Sequence, residues 1–529
     1  MFHTSTKDRV SINGLLLYLK HLLSPMYVLI VALLTFCLIP LNYVKPQNVS
    51  AISKKWVGTW STALQLVETG NNPPSPGLSY NTLRQIVHVS IGGDSLRLRL
   101  SNKFSASNVT ISSVHIAASK GSGVIDTTTD KALTFAGNPD VTMAAGAAVT
   151  SDAFKFALQP LTDVAITIYF GRTSSTVTGH PGSRTTSYLL TGNKVTNADF
   201  SGAVTTDHWY VINTIDVLTP DTSYAVAILG NSITDGRGSG TNKQNRWPDE
   251  LSRRFQANPG TRHIAVLNEG IGGNCVLGAC LGPSAISRFS SDVLEQNGVK
   301  WVVIFEGIND IGYAASTQVA QNLISAFRQM IDSAHAKGLL VYGATLLPFG
   351  GSSYDMPDHQ KAWQTLNDWI RNSGSFDGVI DLDSATHDPA NTSKLLQKYD
   401  SGDHLHPSET GHHMMAEAVK LALFGAVDTT VSGVEEKSAI QPDNIMLWQN
   451  YPNPFNPVTV IKYQLPKSSH VTLRIFDVVG KEVAVLVDEQ KNAGSYQVTF
   501  NNSGLASGVY LYQLKADSFM ESRKLVLLK

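Results

Sequence analysis

Ser232, Asp403 and His406 are the residues whose types and spacing best suit covalent chemistry. Ser232 sits in Gly230-Asn231-Ser232-Ile233-Thr234-Asp235-Gly236, a turn bounded by glycines after an apolar run. A serine there is a candidate nucleophile, and it needs a base within hydrogen-bond reach because it loses a proton as it attacks. His406, in Asp403-His404-Leu405-His406-Pro407, can take that proton. Asp403, three residues earlier, can hold the second ring nitrogen. A tetrahedral oxyanion needs donors at fixed positions. The segments Asn268-Glu269-Gly270-Ile271-Gly272-Gly273-Asn274 and Glu306-Gly307-Ile308-Asn309-Asp310 offer them. The donors are the backbone N–H groups of Ser232 and Gly273 and the Asn309 side-chain amide. The chemistry is acyl transfer.

Each residue taken alone has an ordinary reading. A serine after a strand commonly caps a helix, Asn309 can cap the turn before Ile311, and Gly273 can satisfy a positive φ. Asp403-x-x-His406 alone is a surface turn. Together, in one order at the ends of strands, they point to a site. A Gly-x-Ser-x-Gly elbow is not matched, because Thr234 stands in the last position. His404, His406, His412 and His413 with Asp403 suggest a metal cluster at first sight. Adjacent His412 and His413 cannot both face one site, and no second carboxylate pair accompanies them. No metal or cofactor is expected. Cys275 and Cys280, just after Gly273, either close a local disulfide or remain thiols, and export favours the disulfide.

The elements that must position these groups follow from periodicity. Tyr224–Gly230 (YAVAILG) is a continuous apolar strand of the kind buried on both faces of a parallel sheet. Further strands are expected at His263–Leu267, Trp301–Phe305, Leu339–Thr345 and Val379–Leu382. Helices are expected at Trp247–Phe255, Ser284–Leu294, Thr317–Lys337, Asp358–Asn372 and Ser408 to about Leu423. Alternation of this kind implies βαβ crossovers, an α/β/α sandwich on a parallel five-stranded sheet, and ligands at the carboxyl ends of its strands. Before it, from Trp56 to about Asp216, short alternating strands predict a β-sandwich of jelly-roll type. After it, strands from Val458–Gln464 to Lys524–Leu528 predict a small immunoglobulin-like β-sandwich.

The chain has 529 residues, enough for several domains. Its 41 Lys and Arg against 42 Asp and Glu give a net charge of -1, which excludes a strong field for nucleic acid or anionic lipid. Charged residues are 16%, below the roughly 25% of ordinary soluble domains, and three cysteines exclude a disulfide scaffold. Lys7, Arg9 and Lys20 precede the apolar run Met26–Leu41, the layout of an export signal, with a retained membrane anchor as the alternative. Val49-Ser50-Ala51 is the best cleavage site. The expected organisation is a signal or anchor over 1–51, a β-sandwich over 52–221, the α/β unit over 222–428, a linker over 429–443 and the last β-sandwich over 444–529.

The four segments around Ser232, Gly273, Asn309 and His406 resemble the blocks of the GDSL, or SGNH, hydrolase superfamily of esterases and lipases. The resemblance maps the family's Ser, Gly, Asn and His onto these residues, with Asp403 as the triad acid. Trp56–Trp60 (WVGTW), Leu83–Gly92 (LRQIVHVSIG), Leu346–Gly351 (LLPFGG) and Tyr399–Pro407 (YDSGDHLHP) resemble an acetylxylan-esterase-like subgroup with an amino-terminal β-domain. Two positions depart from the pattern. Asn231 stands where the family usually has Asp, and Glu269, beside the oxyanion loop, is expected to trim the pocket. Asn450-Tyr451-Pro452-Asn453-Pro454-Phe455-Asn456-Pro457, Gly508-Val509-Tyr510 and the closing Arg523–Lys529 resemble the type IX secretion sorting domain.

The resemblance implies an exported esterase without cofactor, whose partners are an acetylated glycan and the type IX secretion machinery. Nucleic acid is not a partner, and a membrane is one only through the signal or anchor. Small polar residues after Ser232, from Thr234 to Ser239, suit a shallow acyl pocket. Trp56, Trp60 and Trp209 either face sugar rings or lie in the core. The alternatives are a lipase or acylhydrolase on lipid esters and a catalytically silent surface glycan-binding protein.

Overall fold

The computed structural model describes residues 53–425, 445–450, 453–501 and 504–528. The expected signal or anchor and the expected linker lie outside them.

Five parallel strands form the central sheet in the order Ile264–Gly270, Tyr224–Gly230, Val299–Phe305, Leu340–Ala344, Gly378–Ile380. Ala225 to Leu229 are fully buried, because helices and a second sheet cover both faces of this strand. Strand order reverses at Tyr224–Gly230, which opens a crevice between its carboxyl end and that of Val299–Phe305. Ser232 follows the first of these strands and Asn309 the second.

Helices Trp247–Ala257, Gln318–His335 and Pro357–Asn372 lie in the crossovers between sheet strands, and Glu409–Ala418 follows the last of those strands. Trp247, Leu251 and Phe255 recur every four residues and are buried, which sets the face that the first of them turns to the sheet. Three expected elements differ. The last helix ends at Ala418, since Arg254 donates to the carbonyls of Ala416 and Val419 and so caps it; a short 3₁₀ turn, Leu421–Phe424, follows. Ser284–Leu294 divides into the helix Ala285–Phe289 and the π turn Ser290–Leu294. The fifth strand stops at Ile380, because the Asp381 carboxylate accepts from Ser384 N–H and caps a short helix, Leu382–Thr386.

The amino-terminal region is β-rich, as its alternation predicts. Its strands form antiparallel sheets of eight, five and three. Lys54–Ser61 lies against the central-sheet strand Ile264–Gly270, where Gly58 leaves room for Leu267: an added Cβ would sit 3.0 Å from Leu267 Cδ1. Gly58 N–H donates to Asn297 O at 2.9 Å, and Val266 N–H to Ser90 Oγ at 3.2 Å. Val57, Trp60, Leu98 and Val217 of the β-rich region belong to the same buried cluster as Val226, Ile304 and Phe327. The two regions share one core.

The carboxyl-terminal residues form a three-stranded and a four-stranded antiparallel sheet around a separate core that includes Ile461, Tyr463, Leu473, Ile475, Tyr512 and Leu525. Among the described residues no helix is long and apolar enough to cross a membrane.

Candidate active site

The turn after Tyr224–Gly230 is a single helical turn, Ser232–Asp235, capped by Asn231, whose Oδ1 accepts from Ile233 N–H at 3.1 Å. Gly230 is required because an added Cβ would fall 2.1 Å from Thr234 Oγ1. Gly236, at φ 111°, ends the turn in the left-handed region and donates to Ser232 O at 3.0 Å.

Ser232 Oγ lies 2.8 Å from His406 Nε2, and His406 Nδ1 lies 2.7 Å from Asp403 Oδ2. Asp403 Oδ1 accepts from the N–H groups of Leu405 at 3.1 Å and His406 at 2.9 Å. Partial burial pushes the Asp403 carboxyl up, but these bonds and the imidazole outweigh it and hold the group at about 2. Burial lowers the His406 pKa, Asp403 opposes that, and the guanidinium groups of Arg237 and Arg184 add to it. The imidazole is therefore neutral at pH 7 and able to accept the serine proton.

Asn309 opens the short helix Ile308–Gly312 after the third strand. Its Nδ2 donates to Asn274 O at 2.8 Å, and its Oδ1 accepts from the Tyr354 hydroxyl at 3.0 Å. The Tyr354 ring fits only because residue 312 is glycine: an added Cβ would sit 2.3 Å from it. Gly273 has φ 71°, and the N–H groups of Ser232 and Gly273 have no acceptor among the described residues. The loop beyond Gly273 is closed by a Cys275–Cys280 disulfide. Asp310 accepts from Val276 and Leu277 N–H at 2.8 and 2.9 Å, tying that loop to the Asn309 turn. Ser232, His406 and Asp403 are thus joined by hydrogen bonds at the carboxyl edge of the sheet, where Gly273 and Asn309 lie on two further loops linked through the bond from Asn309 to Asn274 O.

Asn231 has a physical account. Its Nδ2 donates to Glu306 Oε2 at 3.2 Å, and Glu306 is wholly buried with Arg288 Nη2 3.6 Å from its other oxygen. Burial pushes Glu306 up to about 8. An aspartate at 231 would set a second carboxylate against it, whereas the amide donates.

Glu269 does not trim the pocket. It is fully buried and accepts from Ser61 of the β-rich region. Nor do Trp60 and Trp209 face sugars: they are buried, edge to face at 5.1 Å, while half-buried Trp56 carries Arg97 over its ring at 4.6 Å. The remaining histidines take structural places. His404 bonds to Asp400 at 2.5 Å and His413 is exposed. His412 is fully buried, accepting from Trp247 N–H and donating to Arg237 O, and burial lowers it to about 4. Among the described residues no cluster of His, Cys, Asp or Glu is arranged to hold a metal ion.

Sequence reasoning missed the residues that brace the site. Arg288 reaches Asn274 Oδ1, Glu269 O and Gly230 O, joining the first two loops. His180 and Arg184, in the β-rich region, close on Asp235 of the serine turn, with His180 Nε2 2.8 Å and Arg184 Nη2 3.6 Å from its carboxylate. The only sequence sign was a histidine and an arginine flanking Pro181-Gly182-Ser183 in a segment read as plain sandwich.

Residues 228–414 match the GDSL-like Lipase/Acylhydrolase family, and residues 449–528 match the Secretion system C-terminal sorting domain. Among solved structures, the chain is similar to an acetylxylan esterase from Geobacillus stearothermophilus, solved as a catalytic mutant. The identity is 21% over 38% of this chain and 94% of that one, with a TM-score of 0.30. A GDSL-like lipase from Bacteroides thetaiotaomicron VPI-5482 is 21% identical over 38% of this chain and 89% of that one, with a TM-score of 0.30. A member of the lipolytic protein G-D-S-L family from Veillonella parvula DSM 2008 is 17% identical over 39% and 100%, with a TM-score of 0.30. No curated protein matches the chain. The protein therefore carries a GDSL-like lipase/acylhydrolase domain over residues 228–414 and a secretion system C-terminal sorting domain over residues 449–528.

Proposed function

We propose that the protein is an exported serine esterase that hydrolyses short-chain carboxylic esters, acetyl esters on polysaccharides foremost. The observation that carries this reading is the unbroken hydrogen-bond chain Ser232–His406–Asp403.

His406 Nε2 takes the Ser232 proton as Oγ attacks the ester carbonyl, and Asp403 holds the imidazolium that forms. The tetrahedral oxyanion is received by the N–H groups of Ser232 and Gly273 and by the Asn309 amide. Collapse expels the alcohol, protonated by His406, and leaves an acyl group on Ser232. Water, deprotonated by His406, then releases the acid and restores Ser232. No metal or cofactor enters these steps.

The region 1–51 serves as signal or anchor, 52–221 and 222–428 as the β-domain and hydrolase, 429–443 as linker and 444–529 as the sorting domain. The sorting domain favours release from the cell or display on its surface. Small groups at Gly272, Gly273 and Gly236 favour a short acyl chain. Exposed Leu281, against Gly273, and exposed Leu277 in the same disulfide-closed loop favour the second reading, an acylhydrolase for longer chains.

A series of para-nitrophenyl esters separates the two. Activity should peak at acetate and fall steeply beyond about four acyl carbons, since a shallow pocket excludes longer chains by overlap. Equal or better turnover of a ten-carbon ester would favour the lipid reading. Ser232→Ala should abolish turnover by several orders of magnitude with the fold retained. Near-normal turnover in that variant would overturn the serine mechanism.

A further inference from the structure

An exposed leucine packs on Gly273 and is fixed there. An added Cβ at Gly273 would lie 2.7 Å from Leu281 Cδ1, 3.1 Å from its Cγ and 3.4 Å from its Cβ, and these are its three nearest atoms. Leu281 is nonetheless 47% exposed. Its backbone is held at both ends: the N–H donates to Gly273 O at 3.3 Å, and the O accepts from Asn274 Nδ2 at 2.8 Å. Cys280, the preceding residue, is tied by the disulfide to buried Cys275. Asn274 is in turn gripped by Arg288, whose Nε donates to its Oδ1 at 3.0 Å. About half of Leu281 stays in water, so this restraint serves position more than burial.

That position borders the candidate site on both flanks of Gly273. On one flank, an added Cβ at Gly272 would lie 3.2 Å from Asp235 Oδ2, at the end of the serine turn. Ile271 N–H donates to Gly230 O at 3.0 Å, two residues before Ser232. On the other flank, Asn274 O accepts from Asn309 Nδ2 at 2.8 Å. Gly273 is therefore held between the Ser232 turn and the Asn309 turn, and Leu281 is the side chain that fills the space beside it. The substituents of a tetrahedral carbon on Ser232 have separate destinations. The oxyanion turns to its donors, and the alcohol turns to His406, which protonates it. The acyl chain is the substituent left to run along the Gly273 loop.

We propose that Leu281 limits acyl chain length, its isobutyl group forming the wall against which the acyl chain ends. The proposal rests on the serine-esterase reading above, with Gly273 as an oxyanion donor, and deepens it by naming the side chain that makes the pocket shallow. Glycines at 236 and 272 leave space but cannot close it. A side chain held in place can. A methyl group clears the wall, whereas further methylenes overlap Leu281, which the disulfide and Asn274 keep from moving aside.

The test uses the full-length protein and two ester series. Para-nitrophenyl acetate, butyrate and hexanoate vary the acyl side, and the acetates of phenol and 2-naphthol vary the alcohol. Leu281→Ala frees about three carbons of space and should raise the hexanoate-to-acetate ratio of kcat/KM by about tenfold or more, the scale on which pockets discriminate a methylene. Leu281→Phe should lower the butyrate-to-acetate ratio several-fold. Leu277→Ala, exposed in the same loop, is the control and should leave both ratios near those of wild type. An unchanged ratio in Leu281→Ala overturns the wall, as does an equal gain in Leu277→Ala, which would trace the effect to a loosened loop. A fall in the hexanoate ratio makes Leu281 a seat for longer chains and overturns the wall too. A change confined to the alcohol series overturns the acyl assignment. Should wild type hydrolyse no ester, the esterase reading fails instead. Calorimetry of acetate and hexanoate then decides the wall: hexanoate binding that tightens in Leu281→Ala supports it, and equal binding or none in both proteins overturns it.

Discussion

His180 Nε2 and Asp235 Oδ1 lie 2.8 Å apart in a pair whose side chains are 4% and 1% exposed, and the contact joins the β-rich region to the end of the serine turn. Gly182 makes the approach possible, since an added Cβ would overlap Asp235 Oδ2 at 1.9 Å, and the His180 ring stacks on buried Trp209 at 5.7 Å. The turn that presents Ser232 is thus held from outside its own α/β unit.

Removing one partner of such a pair leaves a buried polar group stranded, at a penalty of about 3–5 kcal/mol. His180→Ala should lower the Tm by several degrees and reduce kcat, because Asp235 anchors the serine turn. The α/β unit expressed alone from residue 222 should be insoluble or inactive, having lost one wall of its core. Thermal unfolding and ester turnover check both; a soluble, fully active fragment would show that the shared core is dispensable.

Tyr354 fixes the orientation of the Asn309 amide, because its hydroxyl donates to Oδ1 and leaves Nδ2 on the other side. Asn309→Ala should reduce kcat by roughly 10²–10³-fold. Tyr354→Phe should reduce kcat by about tenfold with KM little changed, on the scale of one lost hydrogen bond. The two losses should not add, since the hydroxyl acts only through the amide. Full additivity in a double-mutant cycle would assign Tyr354 a separate role.

The pH dependence has a definite sign. The folded pKa of His406 lies below 6.5, so kcat/KM should rise with pH through a value under 6.5 and then level off. Arg184→Gln should move that value upward, because a neighbouring positive charge has been removed. Stability follows the same direction. His412 binds its proton at about 4 in the folded chain and at 6.5 when unfolded, so the unfolded state holds more protons between these values. The Tm should therefore fall as pH drops from 6.5 to about 4, and a His412 variant should show a flatter profile.

Deleting residues 441–529 removes a unit with its own core, and the enzyme purified from cell extracts should keep its turnover. In the native host the same deletion should stop the enzyme from reaching the surface or the medium. Fractionation with an activity assay checks both halves, and unchanged export would remove the sorting role.

The serine turn, the glycine loop, the Asn309 turn and the Asp403–His406 pair were legible from residue order. Each is a short local motif at the end of an apolar strand, and strand–helix alternation dictates that such ends lie on one edge of a parallel sheet. The β-rich character of both flanking regions was legible too, since alternation with period two reports which face of a strand is buried.

Periodicity does not report which other element covers that face. Ser61 meets Glu269 across 208 positions and Ser232 meets His406 across 174, but only the second pair belonged to a set of groups whose chemistry demanded a meeting. His180, Arg184, Tyr354 and Arg288 carry no such demand in their local text. Their roles arise where packed surfaces exclude water and every buried polar atom must find a partner. The same exclusion turned Glu269 from a pocket residue into a buried acceptor and took Trp60 and Trp209 away from the surface. Sequence by itself thus determined the candidate groups and the sheet that gathers them, because these follow from local pattern. Tertiary structure alone decided what braces them, because burial and pairing are settled only where distant segments close on one another.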